Sequence, residues 1–165
     1  MPDKLVRDLM HIGVPTCPDQ TSLVEAAQTL LAKQLEALIV LDEHGHAIGL
    51  LSRREVALAY AQSEINASGF GTLTVADVMR ADIPHVPADI PATAAVQLML
   101  DQNGREIYVM HHEGGTHYPA AVLRFEDVLR FVSARTEADL VGMGSGAARK
   151  SPLDIFKERH SKPTG

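Results

Sequence analysis

At 165 residues, with 45% hydrophobic and 22% charged side chains, the chain has the make-up of a globular protein holding one core or two small, closely packed ones. A formal net charge of -6 argues against non-specific nucleic-acid binding, and no apolar run approaches the ~20 residues needed to span a bilayer. The single cysteine, Cys17, excludes an internal disulfide, and the opening MPDKLVRDLMHIG lacks the apolar core of a secretion signal, so a cytoplasmic location is expected.

Read in order, the chain predicts a short helix over VRDLM (6–10), then the proline-punctuated extended segment IGVPTCPDQ (12–20). An amphipathic helix follows over 21–34, with alanines and leucines at helical spacing. The strand ALIVLD (37–42) leads through a turn holding Gly45 to the strand AIGLLS (47–52) and the helix RREVALAYAQSE (53–64). The same order then returns. VADVM (75–79) is helical, with Thr74 and Asp77 at capping-box spacing. DIPHVPADI (82–90) is extended, 91–103 is helical, EIYVMH (106–111) and YPAAVLR (118–124) are strands, and FEDVLRFVSART (125–136) is the last helix.

The recurrence has a register. An offset of 69 superposes VRDLM on VADVM, Pro18 on Pro87, Ala26 on Ala95, Gln28 on Gln97 and Gly45 on Gly114. Beyond that glycine the offset becomes 72, because GGTHYPA (114–120) is longer than its counterpart, and it pairs Gly49 with Ala121, Ser52 with Arg124 and Glu55 with Asp127. One register shift inside a glycine-rich turn is the mark of two diverged copies, divided here as residues 1–68 and 69–138. A unit this small buries too little alone, so the two are expected to pack about a pseudo-twofold with facing sheets and clefts between them. The expected class is α/β (α+β).

The ordered pattern V-x-D-[LV]-M, proline, alanine, strand, glycine turn and G-L-L-S-x-x-E, present twice, resembles the CBS domain, and two in tandem resemble a Bateman module. The similarity covers about residues 5–135. It implies a regulatory, non-enzymatic module that binds AMP, ADP, ATP or S-adenosylmethionine between its repeats and forms a homodimer. Gly49, Ser52 and Glu55 match the ligand motif in the first copy, with Glu where Asp is usual. The second copy supplies Ala121, Arg124 and Asp127. Arg124 either grips a phosphate bidentately or fills the pocket. The resemblance also implies that each cleft borrows from the other repeat: Ile83, His85, Val86 and Tyr108 for the first, and Ile12, Val14 and Leu38 for the second.

Simpler readings stand beside these. Ser52 and Glu55 are three apart at a helix start, which is a capping box without any ligand. Arg124 is expected not to cap, which leaves Asp127 without a capping partner. The turn histidines His44, His46, His111, His112 and His117 read as solvated, with no metal site assigned; a metal-sensing module is the remote alternative. Arg53 and Arg54 read as a solvated helix face. No nucleophile–base pair, metal cluster or phosphate loop argues for catalysis. A purely structural interaction module with degenerate clefts is the rival from another class.

Residues 139–150 read as a glycine-rich linker and 151–165 as a basic tail. Charge is uneven: +3 from Ala147 onward and -9 before it. SPLDIFKERH starts a short helix with Ser151 as N-cap and Pro152 at the first position. Such a helix cannot hold itself in water, so it is expected to serve as a dimer-stabilising arm or as a docking peptide for another protein.

Overall fold

The computed structural model describes residues 3–62 and 69–144. The first repeat runs through helix α1 (Val6–Leu9), strands β1 (His11–Ile12) and β2 (Thr16–Pro18), helix α2 (Leu23–Ala32), strands β3 (Ala37–Leu41) and β4 (Ala47–Ser52), and helix α3 (Arg53–Gln62). The second runs through helices α4 (Val75–Val78) and α5 (Ala92–Asp101), strands β5 (Glu106–Glu113) and β6 (Thr116–Arg124), and helix α6 (Phe125–Ser133). The capping box expected at Thr74 is formed, its backbone N–H donating to the Asp77 carboxylate at 2.8 Å. Helices α2 and α5 stop short of their expected ends because Gln34 and Asn103, at equivalent positions, both take φ of 53°. That left-handed residue lets Leu35 N–H reach Leu30 O and Gly104 N–H reach Met99 O, each at 2.9 Å, closing the helix ends.

Two three-stranded sheets form, in the orders β2-β3-β4 and β1-β6-β5. The second sheet therefore takes an edge strand from the first repeat, with His11 opposite Val122 and Ile12 opposite Ala121. The exchange is reciprocal. Arg80, the mate of His11 at offset 69, bridges Leu50, the mate of Val122 at offset 72. His85 bridges Tyr108 as Thr16 pairs with Ile39. The extended segments are thus partly strands, which their prolines disguise.

The short first helices are exchanged in the same way. Val6 N–H donates to Ile90 O (3.0 Å) and Arg7 N–H to Ala88 O (2.9 Å), while Val75 N–H donates to Thr21 O (2.8 Å) and Ala76 N–H to Asp19 O (3.0 Å). Amides at a helix start have no partner within the helix, so each repeat satisfies the other's. Side chains follow the backbone. Val6, Leu9 and Met10 complete a core with Ala95, Met99, Ile107 and Leu123 of the second repeat, and Val75 completes one with Leu23, Leu30, Leu38 and Leu51 of the first. Neither repeat has a whole core without its neighbour.

A third core joins the two. On β3, alternation sends Leu38 and Val40 toward the helices and Ala37 and Ile39 toward the other sheet. There Ala37, Ile39 and Leu50 meet Tyr108 and Val122. The facing sheets and pseudo-twofold expected from the repeat are what the fold shows.

After α6 the chain turns through a 3-10 segment (Glu137–Leu140) and packs back on α1, where Gly144 N–H donates to Met10 O at 2.8 Å. Met143 packs on the core shared by α1 and the second repeat. The part of the expected linker up to Gly144 is therefore docked. The tail helix expected from Ser151 lies outside the described residues. No helix among the described residues is long and apolar enough to cross a membrane.

Candidate functional site

At one end of the joint between the repeats lies a cavity of about 600 Å³. The first repeat contributes Glu36 and Ala37 from the start of β3, Leu50 from β4, and Ser52, Arg53, Arg54 and Glu55 from the turn into α3. The second contributes Arg80 and Pro84 from its extended segment and the run from Gln102 to Glu106, with Tyr108. A smaller cavity of about 400 Å³ is lined by Gln34, Glu36, Arg105, Glu106, Arg124, Phe125 and Glu126. At the two offsets these are the pseudo-twofold mates of part of the larger cavity's wall. Among the described residues the duplication is thus reflected in a pair of related hollows, of which one is reduced.

Ser52, Glu55 and Tyr108 line the larger cavity together, and Arg124 lines the smaller one. Asp127 does not line either; it is 3% exposed and accepts a bond from Arg124 N–H at 2.9 Å. Arg124 does occupy an N-cap position, through its backbone rather than its side chain, so Asp127 has a capping role after all. Leu38 points into the first-repeat core, away from both cavities; the residue equivalent to Tyr108 is its neighbour Ile39, one step along a strand whose faces alternate. Val86 is likewise buried, beside Val6 and Leu9. Ile83 and Val14 pack on the inter-sheet core, Ile12 pairs with Ala121, and His85 is exposed with Nδ1 2.8 Å from Ile83 O.

Gly49 serves the protein and not an open hollow. A Cβ there would lie 2.6 Å from Met79 Sδ and 2.8 Å from Arg80 O, so the missing side chain admits the exchanged segment. Arg53, expected to be solvated, reaches back to the end of α2, its guanidinium donating to Leu35 O (2.7 Å) and Leu30 O (3.2 Å). Arg80, Arg105, Glu106 and Glu36 were missed. Their signal was available: Glu36 and Arg105 are offset mates, and so are His11 and Arg80.

The larger cavity has mixed charge. Arg105 pairs with Glu36 at 3.4 Å and Arg80 with Asp82 at 3.1 Å. Glu55 is buried and accepts from Ser52 N–H at 2.8 Å and from the Ser52 hydroxyl. The Tyr108 hydroxyl donates to Glu106. Burial raises the Glu106 carboxyl above its ordinary range, opposed by that Tyr108 bond and by the charge of Arg124, and it raises the Tyr108 phenol as well. Burial also raises Asp127, against the Arg124 N–H bond and charge. Chemically the hollow offers an apolar wall (Ala37, Leu50, Pro84), carboxylate acceptors and a helix start whose amides suit an anion. The Cys17 thiol lies elsewhere, buried and pushed up to about 11 by desolvation, which suits packing and not nucleophilic attack.

The model of the CBS domain family matches residues 6–62 and 75–134. The chain belongs to the CBS domain family. As a CBS-domain pair it is similar to a CBS-domain-containing protein of Agrobacterium tumefaciens (24% identity, TM-score 0.65, covering 76% of this chain and 90% of that one). It is also similar to the CBS domain pair of protein MJ0100, solved in complex with 5'-methylthioadenosine and S-adenosyl-L-methionine (22% identity, TM-score 0.65, covering 82% of this chain and 100% of that one). Both likenesses bear on the fold alone. The Arabidopsis thaliana CBS domain-containing protein CBSCBSPB5 is 26% identical over 110 residues, 67% of this chain but 20% of the relative, so the CBS pair spans about a fifth of that protein.

Proposed function

We propose that this CBS-domain pair is a regulatory module that takes up one adenosine-type ligand (AMP, ADP, ATP or S-adenosylmethionine) per chain, in the larger cavity. The observation that carries the reading is that this cavity draws its wall from both repeats, with Ser52 and Glu55 on one side and Arg105, Glu106 and Tyr108 on the other. In this reading Glu55 accepts the ribose hydroxyls, Leu50, Ala37 and Pro84 flank the base, and the start of α3 with Arg54 faces anionic groups. A ligand held by both repeats biases their relative packing, because it favours whichever arrangement it binds more tightly. That bias passes to a homodimer or a protein partner. Exposed apolar side chains on the last helix of each repeat, Leu58 and Tyr60 of α3 and Leu129 and Val132 of α6, support the dimer. The rival reading, a structural interaction module, is favoured by the reduced second cavity and by the capping role of both acids.

Calorimetric titration with the four ligands separates the two readings. Glu55→Gln keeps an amide oxygen for the Ser52 N–H but removes the charge and turns the second acceptor oxygen into an NH2 donor. A charge-assisted hydrogen bond is worth ~1.5–3 kcal/mol, so this variant is expected to bind at least about tenfold more weakly at one site per chain. Asp127→Asn is expected to bind like wild type. Absence of binding by all four ligands, or equal affinity in Glu55→Gln, overturns the assignment.

A further inference from the structure

We infer that the tip of the β5–β6 hairpin is a surface site for a borderline divalent transition-metal cation, held by the imidazoles of His112 and His117. This hairpin is longer than its counterpart: β5 and β6 have 8 and 9 residues where β3 and β4 have 5 and 6. Three of the six extra strand residues are the difference between the two offsets and three come from a shorter turn, and the added tip contributes to none of the three cores. Gly114 and Gly115 join the strands with φ of 59° and 80°, the positive values that a tight type I′ turn needs at both central positions. A two-residue turn locks register, and the register sets His112 directly opposite His117. Their rings lie 4.0 Å apart, nearly perpendicular at 82°, and both residues are exposed.

Directly paired strand residues share a face, so both imidazoles stand on the same side of the ladder. Turning exposed rings about their side-chain torsions brings one nitrogen of each to the ~2.0–2.1 Å that a zinc–imidazole bond requires. Imidazole nitrogen suits zinc, nickel and copper and leaves magnesium and calcium to oxygen donors. The other turn histidines are placed differently. His111 is on the opposite face, 3.5 Å from Glu113 and stacked near Tyr118, and the rings of His44 and His46 are 6.4 Å apart. No group of three or more His, Cys, Asp or Glu converges among the described residues, so water completes the coordination. Two protein ligands make an open site that pins the hairpin and leaves the fold independent of the ion.

The test uses the full chain, stripped with EDTA and dialysed, then titrated with zinc chloride and separately with nickel chloride by calorimetry. The expected result is an equivalent whose affinity drops at least tenfold in His112→Asn and in His117→Asn, and which His111→Asn and His44→Asn leave in place. Magnesium chloride is expected to give no binding at this position. Circular dichroism reports that the four variants stay folded. No zinc or nickel binding, or binding that both His112→Asn and His117→Asn retain at full affinity, overturns the site.

Discussion

Substituting Gly49 by alanine probes how tightly the two repeats interlock. The new Cβ lies 2.8 Å from Arg80 O and 2.6 Å from Met79 Sδ. The sulfur belongs to a flexible side chain and can swing aside. The carbonyl cannot, because it accepts the Leu50 N–H at 2.8 Å while Arg80 N–H donates to Leu50 O at 3.0 Å. To reach an ordinary carbon contact of ~3.5 Å the segment must back away from β4, stretching both bonds. Overpacking costs ~1–3 kcal/mol and two weakened backbone bonds cost ~0.5–1.5 kcal/mol each. The expected loss is therefore about 2–6 kcal/mol, a large share of the ~5–15 kcal/mol that holds an ordinary domain together. Urea unfolding followed by circular dichroism reads it directly. The pseudo-twofold mate, Ala121, already carries a buried methyl group, so Ala121→Gly is expected to cost only about 1.5 kcal/mol, from strand entropy and the lost methyl. A Gly49→Ala variant within about 0.5 kcal/mol of wild type refutes the steric reasoning.

Val6→Ala and Val75→Ala occupy equivalent positions in exchanged helices, and both residues are fully buried. Each is expected to lose about 2–3 kcal/mol, measured by the same unfolding assay; a mild effect at only one of them contradicts the reciprocal exchange. Glu106 has a folded-state carboxyl raised by burial. Its contribution favours folding at low pH and is lost as pH rises through that raised value, so Glu106→Gln, which still accepts the Tyr108 hydroxyl, is expected to flatten the decline in stability from mildly acidic pH to neutrality. A variant with an unchanged slope of urea midpoint against pH contradicts this. Cys17 is expected to resist thiol reagents at pH 8 in the native state and to react fully in guanidinium chloride; rapid native labelling contradicts its burial.

The fold was legible because duplication leaves a register that any reader of the chain can measure. The offsets of 69 and 72, taken from residues such as Gly45 and Gly114, reproduce every reciprocal bridge, including Leu5–Pro91 with Ser22–Thr74. Which strand sits beside which was less legible. His11 pairs with Val122 across the whole chain, and nothing local to IGVPTCPDQ specifies that partner. The site was read in part. Ser52 and Glu55 carry a local signature at a helix start and do line a cavity, whereas Leu38 faces the first-repeat core, a strand parity that is invisible in the uniformly apolar run ALIVL. Gly49 matches a ligand motif in sequence, yet what approaches it closely is the Arg80 carbonyl of the other repeat. Arg124 was expected to break the cap, yet its backbone N–H fills the role that a serine side chain shares elsewhere.

The most direct measurement is a crystal structure of the chain grown with an adenosine ligand. The expected result is density between the repeats, in contact with Glu55 on one side and with the Arg105–Tyr108 strand on the other. Density confined to the outer surface, or a hollow filled only by solvent at saturating ligand, contradicts a nucleotide-sensing role for this CBS-domain pair.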